Sequence, residues 1–106
     1  MPVKLVVIYP PPKDIEAFER AHNREHVPMA VEKLTGKTKI VASRVLGSPQ
    51  EKPAVHRITE VHFPSVEALE TCAASEGGKQ TLSNAVAISP GGAPLFLIAE
   101  EETAAF

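Results

Sequence analysis

Residues 14–36, DIEAFERAHNREHVPMAVEKLTG, carry a helical pattern that the rest of so short a chain has to pack around. Asp14 is placed to cap its start, Glu16 and Glu19 suit the positive end of the helix dipole, and Lys33, Leu34 and Gly36 close it. Ile15, Phe18, His22, Met29 and Lys33 mark an inward face, joined by Ala21, His26 and Ala30 at helical spacings. Pro28 interrupts the stretch. It has no N–H for the Arg24 carbonyl and its ring crowds that carbonyl, so a kink, or two helices meeting near Glu25 to Val27, is expected. His22 and His26 stand four residues apart and share one helix side. An ionisable ring on an inward face beside a helix break is the strongest functional signal in the chain.

Strands flank this helix. Val3 to Tyr9 is apolar on both faces except for Lys4, which predicts a strand covered on both sides, and Pro10 to Pro12 end it. Lys37 to Leu46 and Val55 to Phe63 read as a second and third strand, joined through a polar segment as a loose antiparallel hairpin. On the third, His56, Ile58, Glu60 and His62 take one side and Arg57, Thr59, Val61 and Phe63 the other. Ser65 then caps a helix with Val66, Leu69, Cys72 and Ala73 as its apolar stripe, which Gly77-Gly78 is expected to end. Lys79 to Ile88 reads as a short helical or irregular piece, and Pro94 to Glu102 as a last strand. The order is β-α-β-β-α-β: an α+β, ferredoxin-like fold with a four-stranded antiparallel sheet and both helices on one face. A bare apolar sheet face is a contact surface, so a homodimer packed sheet against sheet is expected.

Length and charge narrow the function classes. With 106 residues, a single domain spanning 1–106 with one core is expected. A net charge of -2 argues against nucleic acid or an anionic membrane as partner. The first fifty residues hold eight Lys/Arg against five Asp/Glu and the remainder three against eight, an asymmetry that could align two copies or merely be solvated. Cys72, the single cysteine, cannot form an internal disulfide and reads as core packing. With no signal-peptide pattern and no stretch of about twenty apolar residues, a cytoplasmic, non-membrane protein is expected.

His26 is the candidate for acid/base chemistry. A half-buried imidazole at a helix break can exchange protons near neutral pH, or can simply satisfy a helix end. His22 completes HNREH; the pair could ligate one metal with His56, His62 or Glu60 as third ligand, but the zincin glutamate position is Asn23, and no metal site is inferred. A core or pocket-lining role suits His22 better. SEGGKQT contains Gly-Lys but lacks the spaced first glycine and the Ser/Thr of a phosphate loop. Arg44 and Arg57 could meet an anion, with exposed surface charge the plainer account.

Three segments together carry a family resemblance: VVIYP at 6–10, the whole of 14–36 with its HVP element at 26–28, and HFPSVEALET at 62–71. They resemble the EthD family of dimeric α/β-barrel proteins. SEGGKQTLSNAVAI followed by Gly-Gly and a strand ending in glutamates is similar too, so the likeness runs from Val3 to Glu102. It implies a homodimer whose two sheets form a barrel, with a pocket between each sheet and its helices. The family histidine falls on His26 and the strand-end tyrosine on Tyr9. Many members have tyrosine at the position of His22 and an acid near that of Asn84, so a relay through that acid is not carried over. The family is named for fuel-ether degradation, where its protein accompanies an oxygenase system. The wider superfamily includes cofactor-free monooxygenases, lactone isomerases and polyketide cyclases.

The combined expectation is a small homodimer that binds a hydrophobic or aromatic metabolite, with His26 as catalytic acid/base and Tyr9, Phe18, His22 and Met29 lining the pocket. No cofactor is implied. The alternative is a non-enzymatic ligand-binding or accessory protein of an oxygenase pathway.

Overall fold

The computed structural model describes residues 1–106 as four strands and four helices. In chain order these are β1 (Val3–Tyr9), α1 (Ile15–Ala21), a five-residue π-turn (His22–His26), α2 (Val27–Lys33), β2 (Lys39–Arg44), β3 (Arg57–Phe63), α3 (Val66–Ala74), α4 (Glu76–Ala87) and β4 (Leu95–Glu100). The strands form one antiparallel sheet in the order β2-β3-β1-β4, with β1 paired on both sides. This is the ferredoxin-like arrangement that the element order predicts. β1 has its expected bounds, and the later strands are trimmed relative to expectation. β2, for example, covers Lys39–Arg44, and single bonds from Thr38 N–H to the His62 carbonyl and from Val45 N–H to that of His56 flank it.

The long helical stretch breaks differently from a proline kink. Pro28 leaves the Arg24 carbonyl without its α-helical donor, and the chain responds one residue earlier by widening. The Val27 N–H reaches back five residues to the His22 carbonyl, so the segment around the two histidines is a π-turn. This changes which residues face inward. Every fourth residue of an α-helix drifts by about 40° per step, because 3.6 residues complete a turn. A turn that closes over more residues cancels that drift, and the buried stripe becomes Phe18, His22, His26, Ala30 and Leu34. Ile15, expected on the inward face, is 49% exposed, and Met29 and Lys33 are only half-buried. Gly36 ends the stretch with φ of 85°.

The second correction concerns Gly77 and Gly78, which begin α4 instead of ending α3. Ser75 serves both helices: its hydroxyl donates to the Cys72 carbonyl at 2.6 Å and accepts from the Gly78 N–H at 3.0 Å. With no loop between them, the helices come so close that a Cβ on Gly78 would fall inside the Cys72 carbonyl oxygen. A Cβ on Gly77 would sit 2.8 Å from the Lys33 carbonyl oxygen. Residues 79–88, expected to be short or irregular, fall on a 12-residue helix that contacts the π-turn and is capped by Ile88.

All helices cover one sheet face. Val3, Val61, Phe63, Ala30, Leu34, Leu69 and Cys72 pack at one end, and Val7, Tyr9, Phe18, Ala85 and Ile88 at the other. The opposite face carries Val6, Ile8, Val41, Ile58, Leu95 and Leu97, the last two 56% and 43% exposed. Its residues nearest the start of β1 are polar: Lys4, Lys39, Glu60, His62 and Glu101. No helix is long and apolar enough to cross a membrane.

Candidate functional site

The π-turn points both of its histidines into the helix–sheet layer. His22 is wholly buried: Nδ1 lies 3.0 Å from Asn23 Oδ1, and Nε2 lies 3.5 Å from the Thr59 hydroxyl on β3. Its ring stacks on Phe18 at 5.7 Å, with Tyr9 edge-on to both at 5.1 Å from Phe18 and 5.7 Å from His22. His26 follows 5.9 Å along the same face. Tyr9, Phe18, His22 and His26 are thus brought together. Met29 is not among them: it lies on an outer groove with Lys79, Gln80 and Ser83.

His26 is 6% exposed, and its Nδ1–H donates to Asn84 Oδ1 on α4 at 2.8 Å. That bond leaves Nε2 as the ring's lone-pair nitrogen. Burial lowers the His26 pKa below its ordinary 6.5, with the Asn84 bond opposing, and burial likewise lowers that of His22. Both rings are neutral at pH 7. The Tyr9 hydroxyl has no hydrogen-bond partner, and burial pushes its ionisation well above the usual phenol range.

Two depressed histidines give a signed pH dependence. The unfolded chain binds their protons more readily than the folded one, so their contribution is complete above about pH 6.5 and is lost as pH falls through the lowered folded values. Calorimetric melting points are expected to fall between pH 7 and 5, and a His22→Gln/His26→Gln variant to be flatter across that window. An equal slope in the variant would assign the loss to other groups.

Beyond the rings lies a clamp that residue patterns did not reveal. Arg57, expected to be surface charge, is nearly buried and donates to both Glu19 carboxylate oxygens, at 2.8 and 2.9 Å. His56 Nε2 is 3.2 Å from the same carboxylate, which is lowered to about 2, first by the Arg57 bond. His56 also meets Phe18 edge-on at 5.4 Å. The clamp fixes α1 to β3 beside the stack. It also occupies His56, while Glu60 and His62 lie on the far sheet face, so none of these third-ligand candidates can join His22 and His26.

The space near these groups is divided. An internal, mostly apolar cavity of about 20 Å³ is bounded by His26, Leu5, Val7, Thr59, Thr81 and Ala85 among others. It has room for roughly one water. An open cleft of about 390 Å³ lies outside it, with Phe18, Ala21, Ala87 and Ile88 as apolar walls and Lys13, Asp14, Glu25, Asn84 and Ser89 as polar groups. Asn84 belongs to the cleft and His26 to the cavity, and their hydrogen bond spans the partition.

No protein-family model and no curated protein matches this sequence. Solved structures do. An ethyl tert-butyl ether d (EthD) family protein from Bacillus halodurans C-125 superposes with a TM-score of 0.90 at 25% identity, over 96% of this chain and 100% of that one. The chain closely shares the fold of that EthD family protein. A dimeric ferredoxin-like protein from Jannaschia sp. CCS1 aligns with this chain at a TM-score of 0.70 and 15% identity, over 95% of this chain and 100% of that one. SnoaB, a cofactor-independent oxygenase from Streptomyces nogalater, aligns at 0.66 and 12%, over 97% and 95%. At those identities the last two establish a shared fold, and nothing about this chain's chemistry.

Proposed function

We propose that this chain is a homodimer that takes a small hydrophobic or aromatic metabolite into the cleft between α1 and the C-terminal end of α4. His26 acts there as general base and acid. The observation that carries this reading is the neutral His26 held by Asn84 at the edge of a cleft large enough for a small ligand. The ligand's apolar body rests on Phe18 and Ile88, and its polar head reaches Asn84. A turn of the Asn84 side chain would open the partition between the cleft and the His26 ring.

The chemistry that suits these groups needs one proton removed and returned. Nε2 takes a proton from an acidic C–H or O–H of a quinol, enol or lactone, and gives it back to the product. The buried, uncharged surroundings keep the ring in the lone-pair form that this step requires. Enolate or phenolate formation of this kind serves cofactor-free oxygenation, isomerisation and cyclisation alike.

Turnover of quinol and lactone panels, followed beside ligand-observed NMR, tests the reading. His26→Ala is expected to lower kcat/KM by at least about 100-fold with binding retained. Asn84→Asp puts a carboxylate against the ring, raises the His26 pKa and moves the acid limb of the rate profile toward higher pH. Binding that persists with no His26-dependent rate on any substrate would reject the enzyme and leave the second reading, a ligand-binding or accessory protein of an oxygenase pathway. The small inner cavity favours that alternative, since His26 Nε2 is reached only after a rearrangement.

A further inference from the structure

Three polar residues from three elements border the inner cavity: His26 on the π-turn, Thr59 on β3 and Thr81 on α4. The rest of its lining is aliphatic, so these three supply all of its side-chain polarity. All three are buried. Their hydrogen bonds leave matching capacity. His26 Nδ1–H is committed to Asn84, which lies outside the cavity, so the nitrogen left for the cavity is Nε2 with its lone pair. His22 Nδ1–H donates to Asn23, so His22 Nε2 accepts, and its donor is the Thr59 hydroxyl at 3.5 Å. That length is the outer limit of a hydrogen bond, and it uses neither lone pair of Thr59 Oγ1. Thr81 donates its hydroxyl hydrogen to the Gly77 carbonyl at 2.8 Å, which likewise spares its lone pairs. Three acceptors therefore border a space that no side-chain donor enters, and its volume of about 20 Å³ is that of one water.

We propose that the cavity is a binding site for one water molecule, held by His26 Nε2 and the hydroxyl oxygens of Thr59 and Thr81. Thr59 is thereby a positioning residue for His26, in a chain that runs from Asn84 through His26, the water, Thr59 and His22 to Asn23. A water suits the site in both protonation states of the ring. Against neutral His26 it donates one hydrogen to Nε2 and the other to a threonine oxygen. Against the imidazolium it turns, accepts from Nε2–H and donates to both threonines. A buried imidazolium deprived of this water would hold a charged N–H with no acceptor, which costs more than a neutral ring with a bare lone pair. The water thus eases protonation of a ring whose burial opposes it. The site stands on the cavity and its lining; only its use in moving a proton rests on the acid/base reading of His26 above.

An atomic-resolution crystal structure of the full chain and an NMR titration of its histidine ring nitrogens test the claim. The wild-type crystal is expected to show a water within about 3.2 Å of His26 Nε2 and of the Thr59 and Thr81 hydroxyls. Thr59→Val, which keeps the shape and removes the acceptor, is expected to lose that water and to lower the midpoint of the His26 titration by at least about half a pH unit. Thr59→Ser, which restores the hydroxyl, should recover both. A wild-type crystal with no water in the cavity would overturn the site, whatever the variants do. A Thr59→Val protein that titrates at His26 like wild type would overturn the positioning role, since a merely structural threonine would change the melting point and leave the titration unmoved. Neither measurement uses a substrate, so a failure of turnover on the quinol and lactone panels rejects the enzyme reading without touching this result.

Discussion

Alanine at Gly78 is expected to destabilise the protein by at least about 3 kcal/mol, although intrinsic helix propensity favours alanine over glycine by up to about 1 kcal/mol. The packing decides the sign. The added methyl would overlap the Cys72 carbonyl oxygen, which is backbone and already holds the Ser75 hydroxyl and N–H. Relief requires α3 and α4 to separate at the one point where they have no loop to yield. Thermal and urea denaturation followed by circular dichroism should show a melting point lower by roughly 12 °C or more. Gly77→Ala, whose methyl would meet the Lys33 carbonyl oxygen at 2.8 Å, should cost less. Gly47→Ala, with nothing within 4 Å, should be nearly neutral. A Gly78→Ala variant as stable as wild type would mean that the α3–α4 junction is looser than its geometry.

Leucine at Arg57 is expected to cost roughly 3 kcal/mol, because it removes both strong donors from a carboxylate that stays largely buried. The partner variant makes the point sharper. Glu19→Leu/Arg57→Leu should recover much of the loss, since the stranded charge is gone. Removing Arg57 also ends its direct cross-strand opposition to Arg44. The sign with pH follows from Glu19. Its folded pKa, lowered from 4.5 to about 2, contributes stability that is complete above about pH 4.5 and lost as pH falls toward 2. Without Arg57 that carboxylate moves back up, so the cost of the substitution should shrink between pH 7 and pH 3. An unchanged cost at pH 3 would mean that the bidentate pair is not what holds α1 to β3.

The strands and their order were legible because β1 is apolar on both faces and prolines punctuate it. Asp14 and Ser65 were legible as caps because each side chain needs only the N–H three residues on, and both make that bond. The π-turn was not, since its cause at Pro28 is local but its effect is a change of phase that brings Leu34 inward and leaves Ile15 out. Gly77 and Gly78 were misread because a glycine pair has the same appearance at a helix stop and at a close crossing; only the Cys72 carbonyl distinguishes them. Of the candidate site, four-residue spacing put Phe18, His22 and His26 on one face, while Tyr9 and the position of Asn84 came only from the family resemblance. The contacts that hold the rings were not readable. Asn84 meets His26 from 58 positions away and Arg57 meets Glu19 from 38, and no periodicity encodes such meetings.

Ser75, shared between α3 and α4, makes the second half of the chain a rigid lever. Asn84 lies six residues beyond the Gly78 pivot, about 9 Å along the helix axis at 1.5 Å per residue. A tilt of roughly 10° at the pivot would carry its amide about 1.5 Å sideways, enough to break the 2.8 Å bond to His26. The hydrogen bond that holds the imidazole is therefore geared to how α4 packs against α3. Substitutions around Cys72 and Gly78 too mild to unfold the chain should detune His26, and a ligand that spreads α4 from the π-turn would be felt at the far end of the same arm.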